Sequence, residues 1–315
     1  MKINLFLPLC VLLTVFGLFS VACQPVLPEQ EPELHYTDIS YGEHDLQTMD
    51  LHIPAGLPDA RYPVVLTIHG GNWSSGDKTT LGEYTATVLA SGCIHVSINY
   101  RLLGNGISAE TEIPYEEMLQ DINAAFNFLA QNAEKYHIDT TKAGITGYSS
   151  GGHLALLYAY TRTDTPIPIR FVISEAGPTN FLDPKTFTED GEPWLHDNHN
   201  GNGNHEIWPN MPKDYRLALI SDISGTRYGE AGWEEAWEKA SPVYAVTPAS
   251  PKTYLFYGSD DAVIPISHAE MLEHTHPNCI LKKIAGATHD LYTNPTAMQD
   301  ILSGLSAILE EFQNS

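Results

Sequence analysis

Three kinds of residue decide what chemistry this chain can attempt: a serine set among glycines, a histidine in a small-residue loop, and aspartates at the end of an apolar run. The first lies in Gly147-Tyr148-Ser149-Ser150-Gly151, followed by Gly152. A G-x-S-x-G match alone is weak, because a chain of 315 residues holds about 0.1 of them by chance at ordinary Gly and Ser frequencies. Context gives it weight. The strand-like run Lys142–Thr146 precedes it and the helix-like run Ser150–Tyr160 follows. A strand–turn–helix of this kind holds a serine on a bent backbone with its oxygen free for nucleophilic attack. A helix starting at Ser150 also offers N–H groups and a positive dipole end to developing negative charge. The plain alternative is a glycine turn.

A serine nucleophile needs donors for the charge it creates, a base, and an acid to orient that base. His69-Gly70-Gly71-Asn72 follows directly on the apolar run Pro63–Ile68, and we expect the backbone N–H groups of Gly71, Asn72 and Ser150 to be the donors. His289, in Ile284-Ala-Gly-Ala-Thr-His-Asp290, is the expected base. The other histidines are placed less well: His95 lies inside a strand pattern, and His196, His199 and His205 lie in an irregular segment. For the acid, Gly258-Ser-Asp-Asp-Ala-Val-Ile-Pro265 offers Asp261 as first choice and Asp260 as second. Glu175, in Ser174-Glu-Ala-Gly177, is third. Any single aspartate here could instead be a turn former.

Trp73 and Tyr148 flank these motifs and are expected to contact substrate. Trp73, Trp194 and Trp208 could wall a sugar or aryl group, with core packing the alternative for each. Between Trp194 and Trp208 the chain also carries His196, Asp197, His199, His205 and Glu206. Their spacing matches no standard ligand pattern, so we expect neither metal nor cofactor.

The elements that must position these residues are legible as an alternation. Strand patterns occur at His35–Tyr41, Thr48–Ile53, Pro63–His69, Ile94–Asn99, Lys142–Thr146, Phe171–Ser174, Lys252–Tyr257 and Cys279–Ile284. Several are unbroken apolar runs, as strands buried on both faces require. Helix patterns occur at Thr80–Ala90, Tyr115–Tyr136, Ser150–Tyr160, Ser267–Thr275 and Pro295–Phe312. The order predicts an α/β fold, a doubly wound, mostly parallel eight-stranded sheet. Residues 177–246, rich in Pro, Asn, Gly and Trp, are too long for a connection. They predict an inserted cap with two short helices, Tyr215–Ser221 and Trp233–Lys239.

Ahead of the domain, expected at 35–315, Lys2 and a long apolar run end in Ser20-Val21-Ala22-Cys23. That pattern reads as an export signal over residues 1–22. Cys23 is a lipidation candidate, followed by a Pro/Glu-rich tether over 23–34. Plain signal cleavage after Ala22 and an uncleaved anchor are the alternatives. The formal net charge of −23 disfavours nucleic acid as a partner and favours neutral or cationic ones.

Taken together, the chain from about residue 35 onward resembles the α/β-hydrolase superfamily. Within it, the resemblance is to the esterase/lipase branch related to hormone-sensitive lipase and to bacterial acetylxylan or feruloyl esterases. It rests on His69-Gly-Gly-Asn-Trp73, Asn99-Tyr-Arg-Leu102, Asp121 with Ala124-Ala125, Gly147-Tyr-Ser-Ser-Gly-Gly152, Gly258-Ser-Asp-Asp261 with Pro265, and His289. Asn72 stands where many relatives carry a third glycine. The resemblance implies a Ser149–His289–Asp261 triad and a small-molecule or glycan ester as substrate. Lipid esters, arylformamides and an inactive binding role are the competing implications. In that fold Cys93 and Cys279 fall on well-separated strands, which excludes a disulfide and predicts two free, buried thiols.

Overall fold

The apolar runs do pair into a sheet. A computed structural model describes residues 31–314 except 58, 105, 108–113 and 184–212. The signal segment, Cys23, most of the tether and the Trp194–Trp208 stretch lie outside the described residues. Strands are β1 (Leu34–Ser40), β2 (Thr48–Ile53), β3 (Tyr62–Ile68), β4 (Ile94–Ile98), a short pair β5 (Leu102–Leu103) and β6 (Gly106–Ile107), then β7 (Ile138–Tyr148), β8 (Ile169–Glu175), β9 (Lys252–Gly258) and β10 (Cys279–Ile284). Eight of them form one sheet in the order β1-β2-β4-β3-β7-β8-β9-β10. Only β2 runs against its neighbours; every pairing from β4 to β10 is parallel.

Parallel strands need crossovers, and helices supply them on both faces. They are α1 (Gly82–Ala90), α2 (Pro114–Gln131), α3 (Ser150–Thr161), α4 (Lys213–Ser224), α5 (Trp233–Lys239), α6 (Ile266–Thr275) and α7 (Pro295–Gln313). Successive side chains of β3 point to opposite faces. Val64, Leu66 and Ile68 accordingly share a core with Phe126 of α2 and Leu156 of α3. Val65 joins Val88 of α1 and Leu309 of α7 on the other face. Helix α2 buries Met118, Ile122, Ala125, Phe126 and Leu129, one stripe at helical spacing. Helix α7 starts cleanly because Asn294 accepts from the N–H groups of Thr296 and Ala297, with Pro295 in its first turn.

Some boundaries differ from the sequence reading for local reasons. The folded region begins before residue 35: Glu31 exchanges two backbone hydrogen bonds with Gly56. Strand β7 starts at Ile138 rather than Lys142, because polar Asp139, Thr140 and Thr141 extend it without adding an apolar signal. Helix α2 stops at Gln131, short of Tyr136. The described parts of 177–246 tie their two ends together: Val243 N–H donates to Thr179 O at 3.0 Å and Phe181 N–H to Ser241 Oγ at 2.8 Å.

Cys93 and Cys279 are both free. Cys93 leads into β4 and Cys279 opens β10, five strand spacings apart, or about 24 Å. Cys279 is only half-buried, contrary to expectation, because β10 is an edge strand. Burial pushes both thiols up to about 12, which keeps them unreactive.

One ion pair fixes the segment after β4 to α2. Arg101 donates from Nε and Nη2 to the buried Asp121 carboxylate at 2.7–3.0 Å, and from its backbone N–H at 2.8 Å. Gln47 donates to the same carboxylate at 2.7 Å, and Glu117 takes the remaining face of the guanidinium. Removing Asp121 leaves Arg101 with Glu117 as its remaining carboxylate and strips the Arg101 N–H and Gln47 of their buried acceptor. We therefore expect Asp121→Ala to destabilise the fold by about 3 kcal/mol, measured as a fall in the urea midpoint with unchanged slope.

Candidate active site

The corner between β7 and α3 is strained. Ser149 sits at φ 53°, ψ −122°, outside the left-handed region that non-glycine residues tolerate. Such backbone costs about 1–3 kcal/mol and persists only when its surroundings over-determine it. Here they do. Ser149 N–H donates to Glu175 O at 2.7 Å, and its carbonyl accepts from His153 N–H at 3.1 Å. The glycine spacing is a packing requirement: a Cβ on Gly147 would strike the Gly151 carbonyl, and one on Gly151 would strike those of Ile68 and His69.

The corner turns the Ser149 hydroxyl toward His289, with Oγ 3.0 Å from Nε2. On the other side of the ring, Nδ1 lies 2.8 Å from Asp261 Oδ2. An ionised carboxylate only accepts, so Nδ1 carries the proton and Nε2 is left to accept from Ser149. Asp261 is held in turn: its Oδ1 accepts from the N–H groups of Val263 and Ile264, both at 2.8 Å. The side chain of Asp261 is fully buried, while that of His289 is 13% exposed.

Of the three carboxylates weighed from sequence, only Asp261 meets His289. Asp260 is exposed and accepts from Ser259 Oγ at 2.8 Å. Glu175 is buried behind the corner, where Tyr84 and Tyr292 donate to its two oxygens. Loss of solvent pushes the Glu175 carboxyl up to about 7, with the two tyrosine hydrogen bonds opposing that shift.

The glycine loop after β3 lies against the corner, where a Cβ on Gly70 would come within 3.1 Å of Ser149 Cβ. Gly71 O accepts from Ser74 and Ser75 N–H, closing the loop into a tight turn. Gly71, Asn72 and Trp73 all take positive φ there, 121°, 57° and 58°. Among the described residues the N–H groups of Gly71 and Asn72 have no acceptor. Ser150 heads α3, so its N–H is one of the first-turn donors without a helical partner. His69 braces the loop, its Nδ1 donating to Gly70 O at 2.7 Å and its ring stacking on Tyr100 at 4.6 Å.

Trp73 and Tyr148, both expected to contact substrate, have their polar atoms engaged by the protein itself. Trp73 is only 4% exposed and donates its indole N–H to His153 Nδ1 at 3.2 Å. Nε2 of His153 then donates to Ala240 O at 2.7 Å, and burial lowers this imidazole to about 4, so it stays neutral. Trp73 is thus part of the core beneath the site rather than a wall of it. Tyr148 donates its hydroxyl to His289 O at 2.8 Å, with the two rings 5.4 Å apart. Its polar end is committed to the histidine loop. Sequence reasoning missed Tyr84 and Tyr292 altogether, since both act through contacts far apart in the chain.

A mostly parallel sheet with a serine on a strained strand–helix corner, and an acid and a histidine after two later strands, defines an α/β hydrolase. The BD-FAE family model matches residues 49–275, and the chain belongs to that family. Among curated proteins, it is 23% identical over 239 residues to esterase LipC of Mycobacterium tuberculosis, covering 75% of this chain and 53% of LipC. The chain thus spans about half the length of this curated relative. Among solved structures, a truncated carbohydrate esterase from gut microbiota superposes with a TM-score of 0.62 at 19% identity, covering 90% of this chain and 99% of that one. Esterase B from Lactobacillus rhamnosis (HN001) gives 0.66 at 20% identity, with 90% and 88% covered. These likenesses show the fold.

The buried Glu175 makes stability depend on pH. Its carboxyl moves from 4.5 to about 7 on folding, so the folded state holds an extra proton between those values. The stabilisation is complete below the lower value and is lost as pH rises through the upper one. The loss amounts to about 3 kcal/mol. We expect Glu175→Gln to flatten the dependence of Tm on pH across this window and to raise Tm on its alkaline side.

Proposed function

We propose that this protein is an exported serine carboxylic-ester hydrolase acting on short acyl or feruloyl esters of carbohydrates. The observation that carries the reading is the Ser149–His289–Asp261 hydrogen-bond chain on a strained backbone. In this mechanism Nε2 of His289 takes the proton from Ser149 Oγ as the oxygen attacks the ester carbonyl. The carbonyl π electrons move to oxygen, and the N–H groups of Gly71, Asn72 and Ser150 receive that oxyanion. Collapse expels the alcohol, which takes the proton from His289, and leaves Ser149 acylated. Water then repeats the sequence with His289 as base, releasing the acid and restoring the serine. Asp261 stays ionised throughout and steadies the imidazolium.

The substrate class rests on the resemblance to acetylxylan and feruloyl esterases and on likeness to a protein described as a carbohydrate esterase. The leader ending in Ser20-Val21-Ala22-Cys23 supports export and lipid attachment at Cys23. Two or more acyl chains would hold the protein firmly at a membrane surface.

Ester hydrolysis with p-nitrophenyl acetate tests the chemistry. Ser149→Ala should lower kcat/KM by at least about 10⁴-fold. Asp261→Asn should cost about 10⁴-fold in kcat, whereas Asp260→Asn should stay near wild type. A larger loss in Asp260→Asn would overturn the acid assignment. Acetylated xylan and methyl ferulate should be hydrolysed faster than tributyrin or N-formylkynurenine; the opposite order would reject the carbohydrate reading. For the anchor, Cys23→Ala should move the protein from the membrane to the soluble fraction, and unchanged fractionation would refute lipid attachment there.

A further inference from the structure

Glu175 is a costly residue to place where it is. An apolar side chain of similar volume would fill the site without the penalty of burying a carboxyl group. Its contacts suggest what the group does. The Glu175 carbonyl receives the Ser149 N–H at 2.7 Å, so its backbone supports the corner itself. Its side chain reaches Tyr84 on α1 and Tyr292, whose hydroxyl lies 3.1 Å from Oε2. Tyr292 follows His289 by three residues, and its ring meets that of Tyr148 edge-on at 4.6 Å. Tyr148 donates to His289 O at 2.8 Å. The contacts therefore close a ring: Ser149 to His289, His289 to Tyr148, Tyr148 to Tyr292, Tyr292 to Glu175, and Glu175 back to Ser149.

We propose that Glu175 is a positioning residue, a buried brace that with Tyr84 and Tyr292 fixes the loop from which His289 reaches Ser149. The inference rests on the ester-hydrolase reading. In a closed ring, loosening any member shifts the serine–histidine distance, and a misplacement of about 1 Å can cost as much as 10²-fold in rate. The brace holds more tightly when Glu175 is ionised, because both tyrosines then donate to one anion through charge-assisted bonds. As a neutral acid, Glu175 must itself donate, and one tyrosine hydroxyl must turn away. Tyr84 has a place to turn, with its oxygen 3.4 Å from that of Tyr292. The titratable groups facing Glu175 are Tyr84 from α1 and Tyr292 from the loop after β10. Tyr148 of β7 adjoins them and is itself faced by Asp290 and Asp261. With the Glu175 carboxyl near 7, the brace changes state in the neutral range.

The test is steady-state kinetics on p-nitrophenyl acetate across the neutral range, with Ser149→Ala as the inactive reference. Tyr292→Phe and Glu175→Ala should each lower kcat about tenfold while KM stays within about twofold. Glu175→Gln, which keeps hydrogen-bonding groups but cannot ionise, should restore most of that kcat. Its acid limb should be shallower than the wild-type limb, having lost one of two ionisations. Tyr292→Phe loses a single oxygen and carries the test if Glu175→Ala does not fold. Unchanged kcat in folded Tyr292→Phe, a change confined to KM, or equally steep acid limbs would overturn the brace. Wild-type turnover that Ser149→Ala abolishes while Tyr292→Phe retains it would reject the brace alone. Wild-type turnover no greater than that of Ser149→Ala would reject both readings.

Discussion

The backbone of Ser149 is the constraint on which the rest of the structure depends. A residue at φ 53°, ψ −122° cannot hold itself there, so strand and helix must force it from both sides. That is possible only if β7 and α3 approach closely, which requires glycines at 147 and 151. It also requires a rigid platform, and β7 lies between β3 and β8 in the middle of the sheet. The strain then has a use. A serine in a relaxed helix would lay its hydroxyl against the preceding turn, whereas this corner lifts it clear, toward a histidine carried by another strand's loop.

The parallel sheet solves a second problem, bringing together residues far apart in the chain. Ser149, Asp261 and His289 each follow a strand directly or by a short loop, after β7, β9 and β10 respectively. Parallel strands end at one rim, so their C-terminal loops share it. What separates His289 from His95, His153 and His268 is its surroundings. His95, His153 and His268 are fully enclosed, and desolvation lowers them to about 3, 4 and 4. They are neutral packing elements whose ring nitrogens are taken up by neighbours such as Thr67, Trp73 and the Thr179 N–H. His289 keeps an edge toward solvent and has a carboxylate beside Nδ1, so its ring is both reachable and oriented.

The sequence made the frame legible because sheet and helix impose periods on apolar residues, and the strands of the main sheet overlap runs or alternations of such residues. The corner was legible for a different reason: its glycine spacing is a local steric requirement. Choosing between Asp260 and Asp261 was harder. The two residues are adjacent, and the difference between them is which side chain the backbone turns inward, where the Val263 and Ile264 N–H groups wait. The burial of Trp73 was left open by the sequence, because it depends on His153 and Phe181, which lie far along the chain. Tyr84, Tyr148, Glu175 and Tyr292 form one cluster from four separate elements, and no local pattern announces such a meeting.

That cluster shows how the fold divides its labour. The apolar faces of the sheet confer stability without regard to direction, since packing tolerates many arrangements. Hydrogen bonds among buried polar groups do the opposite: each costs desolvation yet accepts few geometries. Around Ser149 the protein uses the second kind densely, in Asp261 with its two backbone donors, in His153 between Trp73 and Ala240, and in Glu175 between two tyrosines. Their common property is that each fixes a direction next to the serine or its histidine. A site meant only to be filled could be lined with leucine, whereas one meant to aim a proton at a particular nitrogen needs groups that fail when misaligned.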